Sequence, residues 1–145
     1  MNFWIVALLV AAALSPLAWL RPSPRQSRQM AHRLAARSMG LGMQLASETW
    51  PHWLAKEPPS RCPQYHRARR RGNQGQWCYW QAAAGQWLNQ WQEPCVDEQV
   101  LQQLLRLPCD VYKVEASKQM LCAFWGEGDQ PQGLENIAAV LNALA

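Results

Sequence analysis

Acidic residues are scarce where the basic ones collect. Positions 1–75 hold two acids against eleven lysines and arginines, a formal charge of +9, whereas positions 76–145 carry −5. That imbalance points the first half of the chain toward an anionic surface. No lysine or arginine precedes the apolar run at the N-terminus, so the positive leading segment of a cleaved signal peptide is missing. There is no CxxC pair, and the five cysteines, at 62, 78, 95, 109 and 122, match no zinc spacing. Single scattered cysteines are expected as reduced, partly buried thiols rather than a disulfide framework. A phosphate loop, GxGxxG, GxSxG and HExxH are all absent, which removes the usual sequence forms of nucleotide, hydrolase-elbow and zincin chemistry. No internal repeat is visible.

Tryptophan is what the chain has in excess: nine, against two phenylalanines and three tyrosines. Trp favours positions with one apolar and one wet side, such as hairpin faces and interfaces. The first two, Trp4 and Trp19, stand near the ends of an uncharged stretch from Asn2 to Leu20. As a helix this stretch reaches about 28 Å, close to the hydrocarbon thickness of a bilayer. Residues 1–20 are therefore predicted to be a transmembrane anchor, with Trp4 and Trp19 at its two interfaces. Arg21-Pro22 is poor context for signal cleavage, so the anchor is expected to be retained. Arg21, Arg25, Arg28, Arg33 and Arg37 follow without an acid among them. The positive-inside rule then puts the N-terminus outside and the remainder in the cytoplasm of a bacterial-type inner membrane.

Residues 21–40 read as a basic juxtamembrane segment. Pro22 and Pro24 suggest a stiff extended exit, Ser27 an N-cap, and Met30 and Leu34 one face of a short helix near the bilayer. Arg21, Arg25 and Arg28 are candidates for contact with anionic lipid, each contributing about 1 kcal/mol. A span ending in Leu20, then Arg21-Pro22, Arg25-Gln26, Arg28 and His32, resembles the membrane exit of the YajC family of preprotein-translocase accessory proteins. The resemblance covers residues 1–35. It implies one N-out span, a small cytoplasmic domain and an accessory role at a translocase.

Residues 41–145 are predicted to form a small cytoplasmic α+β domain, a mainly antiparallel sheet with helices packed on one face. Positions 41–47 alternate as a first strand, and four prolines make 48–63 a loop in which Trp50 and Trp53 serve as packing anchors. Positions 64–71 suggest an exposed strand, 72–75 a turn, and 76–81 its aromatic partner. Residues 77–91 fit a strand–turn–strand, though Trp77, Trp80, Ala84, Trp87 and Trp91 also make a helical stripe. Positions 96–108 and 131–144 have amphipathic helical spacing, with Asp97 and Glu98 in the first turn of one and Pro131 in that of the other. Strands are expected at 109–116 and 119–126, and a turn at 126–129.

Chemistry is sparse. His32, His52 and His66 lie in three segments without ligand spacing, and neither metal nor cofactor is expected. The acid pairs Asp97–Glu98 and Glu127–Asp129 suit a helix start and a turn. Cys62 beside Arg61 and near His66 offers a thiol, a cation and an imidazole, the ingredients of a reactive cysteine. Arg67, Arg69, Arg70 and Arg71 precede the aromatic segment. They could form a charged sheet edge, bind lipid or an acidic partner, or hold nucleic acid over stacking rings. The leading expectation is a single-pass membrane protein whose domain contacts other proteins in a non-enzymatic accessory or scaffold role. A translocase accessory, a membrane-tethered nucleic-acid binder and a thiol enzyme are the alternatives.

Overall fold

The computed structural model describes residues 2–73, 75–128, 130 and 132–145. The α-amino group of Met1, Gln74 of the expected turn, Asp129 of the acid pair and of the 126–129 turn, and Pro131 lie outside those residues. The chain divides into two units, one ending at Ala31 and one from His32 to Ala145.

In the first unit, α1 (Phe3–Trp19) contains Pro16 and buries none of its residues. Its 17 residues are two fewer than the uncharged run, and at 1.5 Å each they reach about 26 Å, short of a ~30 Å hydrocarbon core. No single helix described is long and apolar enough to cross a membrane; α1 with α2 (Pro24–Ser38), bent by 53°, meets the mark as a pair by length and composition. The start of α2 corrects the expected extended exit and the Ser27 cap. Ser23 N–H donates to Gln26 Oε1 (3.1 Å) and Gln26 N–H to Ser23 Oγ (3.2 Å), a reciprocal capping box. Pro24 takes the first helical position, where its fixed φ fits and no N–H is needed.

Within the second unit α2 ends in a Schellman motif. Leu41 N–H donates to Ala36 O (3.0 Å) and Gly40 N–H to Arg37 O (3.2 Å). Gly40 has φ +81°, which glycine adopts without a Cβ penalty. The fold that follows is α+β. Its strands are β1 (Gly42–Ser47), β2 (Arg61–Ala68), β3 (Trp77–Ala83), β4 (Gln86–Leu88), β5 (Val111–Ala116) and β6 (Met120–Trp125), with α3 (Glu98–Leu104) before β5 and α4 (Gly133–Leu144) last. All six strands join one antiparallel sheet in the order β1-β2-β6-β5-β3-β4.

Register assigns the two faces, because side chains alternate along each strand. Met43, Tyr65, Ala123, Val114 and Tyr79 stand in one row across five strands. This face joins Ile137, Val140 and Leu141 of α4, Leu104 of α3, and Ala36 and Leu41 in the core. The opposite face carries the row Gly42, His66, Cys122, Glu115 and Cys78, and beside it Gln44, Gln64, Phe124, Lys113, Trp80 and Leu88.

Several expectations hold. Asp97 caps α3, its carboxylate accepting from Gln99 and Val100 N–H, and β5 and β6 pair as a hairpin. Residues 77–88 form a hairpin and not a helix: Gly85 takes φ +76° at the turn and donates its N–H to Gln81 Oε1 (3.1 Å). The exposed strand expected at 64–71 is corrected. β2 begins at Arg61, lies between β1 and β6, and buries Cys62, Pro63, Gln64 and Tyr65. Its uncharged half can bury against neighbours on both sides, whereas the arginine run cannot be desolvated and falls at and beyond its end.

Candidate functional site

The structure separates the basic cluster from the aromatic strand. β6 and β5 lie between β2 and β3, so the charged edge with an aromatic partner beside it does not exist. Arg67 ends half-buried on β2. Arg69 Nη1 donates to Gly75 O and to Ser117 O (3.0 Å), and Arg70 Nη2 to Asn142 Oδ1 (3.2 Å). Two of the four arginines therefore tie the 69–75 connection to the β5–β6 turn and to α4. Arg71 is exposed, as are Arg21, Arg25 and Arg28 in the first unit, and Trp4 and Trp19 at the ends of α1.

Cys62, Arg61 and His66 do not converge. Cys62 and His66 share a face but stand four residues apart on one strand, about 13 Å, and Arg61 alternates to the other side. The His66 ring lies directly over Gly42, where an added Cβ would collide with it. Cys62 is fully buried; burial, then the Glu127 and Glu48 charges, pushes its thiol up to about 12. Burial likewise raises Cys78 to about 12 and Cys122 to about 11. All five cysteines are free, and exposed Cys109 is expected to react with a maleimide at neutral pH at least roughly tenfold faster than Cys62, since the thiolate is the reactive form. Peptide mapping after a short pulse checks this. Among the described residues, no group of three His, Cys, Asp or Glu is placed to hold a metal ion.

The face opposite α4 carries a charge cluster that sequence reasoning missed. Lys113, on β5, is buried, and its ammonium stands 3.4 Å from both Glu48 and Glu115. It also lies over the rings of Trp80 (5.3 Å) and Phe124 (5.1 Å). Burial alone would lower its pKa, but Cys78, Glu115 and Glu48 outweigh that and raise it. Lys113 is thus a cation at neutral pH, shared by two carboxylates. The 48–60 loop folds over it as expected of its tryptophans: Trp50 packs edge-on to Phe124 and Tyr112, and Trp53 to Trp80. The alternation in Val111–Ala116 places Lys113 and Glu115 on one face, but the approach of Glu48 is set by the fold.

A second buried charge is Glu127, which the sequence presents only as half of an acid pair in a turn. The Glu127 side chain is 0% exposed, and its Oε1 accepts from Arg33 Nη2 at 3.0 Å. Its φ is +52°, a strained conformation for a residue with a Cβ. Tyr65 lies under the influence of both, and burial, with Glu127 beside it, holds its phenol well above the usual range. Among the described residues its hydroxyl has no hydrogen-bond partner of good geometry.

The remaining feature is an open groove of about 420 Å³ at the β3–β4 side of the sheet. Trp77, Tyr79, Trp80 and Trp91 supply its aromatic surface, and Asn89 and Glu115 are among its polar groups. The volume falls within the range of ligand-binding clefts. No protein-family model matches the chain, and neither a curated protein nor a solved structure matches it significantly.

Proposed function

We propose that this chain is a membrane-tethered interaction protein: α1 enters the bilayer, and residues 32–145 present a folded surface to other proteins without catalysing a reaction. The observation that carries this is α1 itself. It is uncharged and buries no residue, and an apolar surface of that extent in water is an association site or an aggregation hazard. Residues 32–145 enclose a core of their own without it. Seventeen residues lie at the short end of the spanning range, and local thinning or snorkelling of flanking arginines accommodates such a helix. Arg21, Arg25 and Arg28 would then meet anionic headgroups on the cytoplasmic side. The accessory role at a translocase, suggested by the exit sequence, remains a form of this reading.

The tether is tested by reconstitution into vesicles containing anionic lipid. The full chain is expected to float with them after a high-pH carbonate wash, and Leu9→Arg to reduce the retained fraction, since an arginine at the helix centre costs about 3 kcal/mol. A chain washed off like a peripheral protein would overturn the tether. Crosslinking in native membranes is expected to give discrete protein adducts on residues 32–145. Their absence would overturn the interaction role.

A further inference from the structure

The sheet is incomplete beside β3. On the β5 side Trp77, Cys78 and Tyr79 pair with Ala116, Glu115 and Val114. On the other side β4 pairs with Trp80, Gln81 and Ala83 and stops at Leu88, opposite Trp80. Among the described residues, Trp77–Tyr79 has no strand partner on that side. The chain turns away instead: Asn89 Oδ1 accepts from Trp91 N–H (3.0 Å) and Glu93 N–H (2.9 Å), and Gln92 takes φ +60°. Residues Gln76–Trp80 and Asn89–Trp91 both line the groove. Trp91 is 70% exposed.

We propose that this groove binds an extended peptide segment of a partner protein, carrying a lysine or arginine, which adds as a strand along Trp77–Tyr79. An open strand edge presents backbone donors and acceptors that another extended backbone matches. Three residues give about 10 Å of ladder, so the affinity must come largely from side chains in the aromatic cleft. Among the described lining residues Glu115 is the one charged group. Lys113 divides its charge between Glu115 and Glu48, leaving one negative charge uncompensated. A cationic side chain meets that charge and can lie over an indole face. A single strand of nucleic acid would find rings to stack on but a carboxylate where its phosphates need cations. The proposal deepens the interaction reading of residues 32–145 and rests on it, but does not require α1 to span a bilayer.

The test uses the full chain in detergent micelles and a library of capped heptapeptides with Lys or Arg fixed at the centre and randomised flanks. Selected peptides are expected to bind by calorimetry and to slow hydrogen exchange at Trp77–Tyr79. Replacing the central residue with Glu should weaken binding about tenfold or more, the worth of one charge contact, and backbone N-methylation should abolish it. Trp91→Ala, at an exposed side chain, should weaken binding without moving the urea midpoint, and Glu115→Gln should reduce the preference for Lys or Arg over Gln at the peptide's centre. The proposal is overturned if no library member binds, if N-methylated or Glu-centred copies bind equally well, or if an oligonucleotide rather than a peptide protects Trp77–Tyr79. Crosslinked partners elsewhere on residues 32–145 would then leave the interaction role standing without this groove.

Discussion

Replacing Trp125 with alanine is expected to cost about 4 kcal/mol of stability, the magnitude for a large aromatic deleted from a core. Trp125 closes β6 and is fully buried. Its ring meets Tyr65 edge-on at 5.6 Å and His32 at 5.1 Å. A Cβ added at Gly133 would lie 2.8 Å from its Cζ2, so the first turn of α4 sits directly against the indole. The cavity left by alanine is bounded by the sheet and by helix backbone, which cannot collapse into it cheaply. Against a domain stability of roughly 5–15 kcal/mol, such a loss leaves a large unfolded fraction. Urea unfolding of the full chain in micelles checks this, with Trp91→Ala as the control. The exposed indole should change stability by no more than about 0.5 kcal/mol. Equal losses for the two variants would contradict the placement of Trp125 in the core.

Arg33→Leu is expected to cost about 3 kcal/mol. Breaking a buried ion pair from one side costs about 3–5 kcal/mol, because the remaining charge stays desolvated. Glu127 is that charge, with a side chain 0% exposed, while Arg33 is 35% exposed. The partial exposure of Arg33 places the effect at the low end. Adding Glu127→Gly should restore more than half of the loss. It removes the orphaned carboxylate, and glycine adopts φ +52° without strain. A double-mutant cycle in urea measures the coupling. Additive losses would show that Arg33 acts through packing of α2 and not through Glu127.

The elements that could be read along the chain are those whose cause is local. Asp97 followed by the Val100, Leu101 and Leu104 spacing is enough for α3, because the cap and the apolar stripe fall within two turns. The β5–β6 hairpin and the turn at Gly85 follow from short connections and a glycine where φ must be positive. The start of α2 is equally local: Ser23-Pro24-Arg25-Gln26 contains the full capping box, although Pro22 and Pro24 also fit a stiff extended exit. The pairing of the basic strand with the aromatic strand across 72–75 is not legible for a different reason: the two are separated by β6 and β5. A turn brings chain ends together but does not choose a strand's neighbours, and β2 buries more by entering between β1 and β6.

By itself, then, the sequence determined the α+β class, the uncharged N-terminal helix, the caps and most of the strands. These depend on backbone preference and side-chain period over a few residues. Only the tertiary structure decided the strand order, the engagement of Arg69 and Arg70, the burial of Lys113 and Glu127, and the point at which β4 stops beside β3. Arg33 and Glu127 are 94 positions apart, and Glu48 and Lys113 are 65 apart. Whether such charges meet depends on which faces pack and on where a strand such as β4 ends. Those outcomes come from burial summed over the whole sheet, and no short stretch of sequence carries that sum.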